Sequence, residues 1–163
     1  MRNKSNIFVG IVSAIFAFVA TMVLFADMFT ATYGGQKYGK EYGTGYQVMF
    51  GLEQGKSLNG VPLLVMAFVF LCVAFALLIV AAIMAGKVQG LVFAVSALLL
   101  IAAGVLFLFS VSLFDSANKS IIDASGTYHV DELSLGAAPI SCAVFALLGG
   151  VLSLYGAYSA FKA

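Results

Sequence analysis

The sequence predicts an all-α integral membrane protein, a four-helix transmembrane bundle. Four stretches, residues 7–26, 61–85, 88–114 and 136–161, contain no Asp, Glu, Lys, Arg or His. A helix rises about 1.5 Å per residue, so about 20 apolar residues cross a hydrocarbon core of roughly 30 Å. Composition agrees: 63% of the chain is hydrophobic and only 9% charged, against about 25% charged in soluble domains. The acids point the same way. All seven (Asp27, Glu41, Glu53, Asp115, Asp123, Asp131 and Glu132) fall in the connectors 27–60 and 115–135. The four stretches account for most of the 163 residues, which predicts a single four-span membrane domain over 1–163.

The first stretch follows Arg2 and Lys4 but runs to about 20 apolar residues, longer than the 7–15 of a signal-peptide core, and is read as a retained anchor. Basic residues set the orientation. Arg2, Lys4, Lys87 and Lys162 crowd the span ends on the side of the termini, where there is no acid. Lys37, Lys40, Lys56 and Lys119 are spread over the two long connectors. The positive-inside rule then places both termini in the cytoplasm and both long loops outside. Between the second and third spans only Gly86 and Lys87 remain, which makes those helices antiparallel neighbours. Gly86 is expected in left-handed geometry at the helix end. Pro62 and Pro139 fall in first turns, where a missing N–H costs nothing.

Lipid gives helices no hydrophobic push toward each other, so small residues mark where they pack. In the fourth span Ala138, Cys142, Ala146 and Gly150 recur every four residues and form the predicted packing face, with Ser141, Gly149, Ser153 and Ala157 as a second stripe beside it. Cys72 and Cys142 both lie inside spans, at depths differing by roughly 7 Å, so they are read as small buried hydrophobes and not as a disulfide.

Loop 27–60 is rich in tyrosine and glycine. Tyr33, Tyr38, Tyr42 and Tyr46 suit an interfacial belt. The adaptable Tyr/Gly chemistry also suits an outer-loop contact surface, assigned to Tyr38, Tyr42, Tyr46 and Phe50. Alternation over 46–50 reads as a short strand, a small β element in the outer loops that would pair with another piece of the first loop or with the second, where residues 126–130 are a candidate. In loop 115–135, His129, Asp131, Glu132 and Asp123 are residue types that bind divalent cations. Their spacing matches no known metal motif, and a solvated loop is the simpler reading. Asp131 and Glu132 would mark the start of the last helix, with Ser134 as its cap.

No catalytic or cofactor-binding motif is present, and the spans carry no charged group of the kind that marks ion-coupled transport. Ser13, Thr21, Ser96, Ser110, Ser112, Ser141 and Ser153 can each bond a carbonyl of their own helix. A net charge of +1 argues against a nucleic-acid partner. The layout resembles the claudin-like tetraspan class: four spans, inner termini, a longer first outer loop with a strand-like segment and a shorter second one. In that class the first loop carries a Gly-Leu-Trp run and two cysteines. Here Gly51–Leu52 is followed by Glu53, the chain has no tryptophan, and the loop has no cysteine, so the resemblance implies architecture alone.

The expected function is that of a non-enzymatic tetraspan in the cell membrane. It would act as an accessory subunit or contact protein through its outer loops and small-residue helix faces, toward a protein partner or its own copies. A small oligomeric channel or transporter lined by serines is the alternative, and an outer-face metal binder or enzyme built on His129, Asp131 and Glu132 the third reading. No cofactor is expected.

Overall fold

The computed structural model describes residues 4–33, 36–52, 58–125 and 132–162; at 31, 33, 36–42, 122–125 and 132 it describes the backbone alone. The described chain is mostly helical. Four helices are long and apolar enough to cross a membrane: Lys4–Phe25, Pro62–Ile83, Gly86–Leu108 and Ala137–Lys162. In chain order the elements are α1 (Lys4–Met22, ending in a 3-10 turn at Val23–Phe25), β1 (Asp27–Tyr33), β2 (Gln36–Thr44), α2 (Gly45–Phe50), α3 (Pro62–Ile83), α4 (Gly86–Leu108), α5 (Ser110–Ser125), β3 (Glu132–Leu135) and α6 (Ala137–Lys162).

The long helices pack in a ring, α1 against α3, α3 against α4, α4 against α6 and α6 against α1. Both described chain ends and the α3–α4 turn lie at one end of the bundle, the strands at the other. The turn forms as its residues dictate: α3 stops at Ile83, and Gly86 takes a φ of +74°, which glycine adopts without a Cβ clash. Pro62 opens α3 and Pro139 is the third residue of α6.

Alanine lines the interior. Ala17, Ala20, Ala67, Ala74, Ala81, Ala97, Ala103, Ala138 and Ala146 have no exposed surface. The bulk is outside, with Phe8, Ile11, Phe18, Met66, Leu98 and Val151 all exposed. Cys142 is buried as expected, whereas Cys72, expected to be buried, is exposed on the bundle's flank; both are free thiols. The α6 stripes lie between α4 and α1. A Cβ at Gly150 would come within 2.8 Å of Ile101 Cγ1, and one at Gly156 within 3.1–3.2 Å of Val9 and Phe93. Ser153 donates to Gly149 O at 2.8 Å and Ser96 to Val92 O at 2.8 Å, as expected of a serine on an apolar helix; Ser13 and Ser110 depart from that expectation, since their buried hydroxyls have no hydrogen-bond partner among the described residues.

The connectors differ from their expected form in three ways. Residues 46–50 are helical, because Thr44 and Gln47 form a capping box that starts α2 and Gly51, at φ +67°, ends it; this local bonding outweighs the alternating pattern. The strands lie on either side, at 27–33, 36–44 and 132–135. Of the second connector, residues 132–135 supply the strand; 126–130 lie outside the described residues. Helix also continues past the apolar stretch. After a turn at Phe109, α5 runs to Ser125, so the first part of the expected loop is helical. Ser134 is in β3 and does not cap α6, which begins at Ala137.

Replacing Gly150 with Leu drives a side chain into Ile101, and overpacking of this kind costs about 1–3 kcal/mol. Leu154, 45% exposed on α6, changed to Ala should cost less than about 0.5 kcal/mol. Unfolding titrations in mixed detergent micelles compare the two; an equal loss would remove the close α4–α6 approach as the source of the difference.

Candidate interaction surfaces

Both connectors contribute to a three-stranded antiparallel sheet with order β2-β1-β3. It is continuous with the bundle at two points. Ala26 alone separates the last turn of the first long helix from β1, and Gly136 alone separates β3 from α6. Gly136 N donates to Met28 O at 2.9 Å. A Cβ at Gly136 would fall 2.5–2.8 Å from the backbone of Asp27 and Met28, so only glycine lets β3 enter α6 so close to β1.

The sheet's two faces differ. The register sets Phe29 opposite Leu135 and Ala31 opposite Leu133; Phe29 is fully buried, with its ring centroid 5.0 Å from that of Phe114 at the α5 end. On the other face Thr30 pairs with Ser134 and Gly39, and Thr32 with Glu132 and Lys37. The Thr30 and Ser134 hydroxyls are 2.6 Å apart. The described side chains at these positions, Thr30, Thr32 and Ser134, all carry hydroxyls. In β2 the register shifts between Thr30/Gly39 and Phe29/Glu41, which leaves Lys40 unmatched. A bulge of this kind twists an edge strand away from further pairing.

A reciprocal amide clamp holds the sheet end together. Asn118, fully buried on α5, accepts from Asn59 N at 2.7 Å and donates to Asn59 O at 3.2 Å and Phe114 O at 3.3 Å. The Asn118 side-chain amide thus pairs with residue 59 as a neighbouring strand would. Asn59 Nδ2 in turn donates to Ala117 O at 3.3 Å. Tyr46 braces α2: its hydroxyl donates to Thr21 O at 2.9 Å, and its ring centroid lies 4.5 Å from that of Phe25 and 5.4 Å from that of Phe68. Burial pushes the Tyr46 phenol above its ordinary pKa, so it stays protonated as a donor.

The four residues assigned to a contact surface are therefore divided. Tyr38 and Tyr42 are in β2, Tyr46 and Phe50 in α2. Tyr46 is turned toward the bundle, while Phe50 is 44% exposed. Of the metal reading, His129 and Asp131 lie outside the described residues, as do the side chains of Asp123 and Glu132. Among the described residues no group of three or more His, Cys, Asp or Glu comes together.

Two amide pairs escaped the sequence reading. Asn59–Asn118 joins residues 59 positions apart, a relation that spacing cannot reveal. The second lies at the opposite end of the bundle. Asn6 Nδ2 donates to Gln89 Oε1 at 3.2 Å and Gln89 Nε2 to Ala81 O at 2.8 Å, with both side chains buried. Gln89 is an amide inside an apolar stretch, where an unsatisfied polar group costs several kcal/mol, and that cost was the available signal. No protein-family model matches the chain, and no curated protein is significantly similar to it.

Asn118→Ala removes the clamp and leaves the Asn59 N–H unpaired, at a cost of about 2–3 kcal/mol. Hydrogen exchange at residues 58–61 should rise well above that of the α4–α6 core. Unchanged protection there would mean that the clamp does not hold the loop. Tyr46→Phe keeps the ring contacts and loses one hydrogen bond, at about 1 kcal/mol, read by the same exchange experiment at α2.

Proposed function

We propose that the chain is a multi-pass membrane protein with both termini and the α3–α4 turn in the cytoplasm and the sheet outside. We propose further that it acts without catalysis, as an accessory subunit or contact protein. The observation that carries this reading is the sheet, whose strands run directly into the ends of two membrane-length helices and which is packed through Phe29 onto Phe114. The hydrophobic side of the sheet is spent on the bundle, leaving Thr30, Thr32 and Ser134 on the side a partner could meet. Polar, hydrogen-bonding surface on a rigid support suits reversible protein contact.

The bundle interior supports a non-conducting role. Buried Ala, Leu and Phe form a continuous core through all four long helices. Within it the Ser96 and Ser153 hydroxyls bond to their own helices, while the buried Ser13 and Ser110 hydroxyls have no hydrogen-bond partner among the described residues. The distribution of basic residues, crowded at the terminal end, supports the orientation.

Affinity purification in mild detergent, followed by mass spectrometry, tests the contact role. A stoichiometric protein partner is expected with the native chain and lost with Thr32→Arg, which changes the polar face and leaves the hydrophobic one intact. Should the chain purify alone as a fixed homo-oligomer and pass ions or small solutes in liposomes, the accessory role would be abandoned for a channel or transporter.

A further inference from the structure

Beyond β2 the chain turns into α2 and its cap, residues 45–52, which carry no charged side chain. This segment does not stand above the long helices; it lies beside their upper turns. The Tyr46 hydroxyl reaches the Thr21 carbonyl of α1, and the Tyr46 ring packs on Phe68 of α3. The Phe50 ring centroid lies 6.4 Å from that of Phe68, edge to face. Phe68 follows Pro62, the first residue of α3, by about 9 Å along the axis at 1.5 Å per residue. Thus α2 overlaps in height two of the helices long and apolar enough to cross a membrane.

The outward side of this segment is apolar and continuous with α3. Phe50 and Leu52 are exposed, as are Leu63, Met66 and Val69. Phe50, Met66 and Val69 line one shallow groove of about 460 Å³, and no charged residue lines it with them. The polar groups at the two ends of α2, by contrast, are paired within the chain. Gly45 N donates to Ala26 O at 3.1 Å, and Thr44 and Gln47 bond to each other in the capping box. At the far end Gly51 N and Leu52 N both donate to Gln47 O, and Val61 N donates to Met49 O at 2.9 Å. The next residue, Pro62, has no N–H to satisfy. A loop in water can leave such groups to the solvent. In a bilayer they must find partners within the protein.

We infer that α2 dips into the outer leaflet, with Phe50 and Leu52 seated among acyl chains just below the headgroups. The inference rests on the proposed membrane placement. Lipid is the occupant because Phe50 shares its groove with Met66 and Val69, on the flank of a helix that crosses the bilayer. The paired ends of α2 meet the condition that lipid imposes. An apolar helix face at this boundary reaches about 5–10 Å into it, a depth that the upper turns of α3 span. Thr44 ends β2 and Gly45 begins α2, so the contact ties the edge strand of the sheet to the membrane surface. Phe50 then serves lipid contact, and the hydroxyl face of the sheet is left for a protein partner.

The chain contains no tryptophan, so a single introduced tryptophan is a clean reporter. Phe50→Trp probes α2, Val73→Trp the exposed flank of α3 at mid-span, and Ser120→Trp the exposed side of α5. Each is reconstituted into vesicles of phosphatidylcholine brominated either near the headgroup end or near the far end of its acyl chains. Each is also titrated with iodide on both sides of the bilayer. Phe50→Trp should lose most of its emission to the shallow bromines, less to the deep ones and little to iodide. Val73→Trp should be quenched best by the deep bromines, and Ser120→Trp by iodide alone. Iodide quenching of Phe50→Trp as strong as that of Ser120→Trp overturns the inference. A Phe50→Trp that neither quencher reaches also overturns it, because protein, such as a second copy, would then cover the patch. In both cases deep-bromine quenching of Val73→Trp upholds the membrane placement; its loss removes the placement and the inference together. Leu52→Trp reads the same boundary if Phe50→Trp fails to fold.

Discussion

Everything in this structure depends on how closely its four long helices approach one another. Alanine and glycine at the crossings let backbones come near enough for dense van der Waals contact, the main attraction available between helices in an apolar solvent. Alanine recurs at the buried crossings beside Leu64, Leu71, Leu78, Leu100, Phe93 and Phe107, while many further Phe, Ile, Leu and Val side chains cover the flanks. Gly150 against Ile101 and Gly156 against Val9 and Phe93 mark places where one carbon more would force the helices apart.

Polar bonding is concentrated at the two ends of the bundle. At the terminal end Asn6, Gln89 and the Ala81 carbonyl tie α1, α4 and the last turns of α3 together. At the sheet end Asn59 and Asn118 join a loop to α5, and Tyr46 joins α2 to the top of α1. Primary amides suit this task because each offers both a donor and an acceptor, as a peptide unit does. Buried in apolar surroundings, such bonds are electrostatically stronger than in water and costly to break. The small-residue crossings hold the middle of the bundle, and the amides fix which loop sits on which helix end.

The two ends also differ in chemistry. Among the described residues the acids Asp27 and Asp115 lie toward the sheet end, while Lys4, Lys87 and Lys162 lie toward the terminal end. That division underlies the proposed orientation, and it requires no charge within the long helices.

The amino-acid sequence by itself determined the four long helices, the tight turn at Gly86, the proline positions and the small-residue stripes of α6. These follow from local rules: helix length against apolar content, the freedom of glycine at positive φ, and a fourfold repeat on a 3.6-residue helix. The tertiary structure decided that Ser134 belongs to a strand and that α5 carries on beyond Phe109, while the helix at 46–50 follows from a local capping box. The capping box at Thr44 and Gln47 was present in the sequence, but alternation over five residues concealed it. Ser134, the third residue of β3 (Glu132–Leu135), is in a strand because β1 lies beside it, more than a hundred positions earlier in the chain. The amide clamp and the seating of α2 beside α3 belong to the same class. Each is a relation between residues distant in sequence, and pattern along one chain carries no information about which distant segments come into contact.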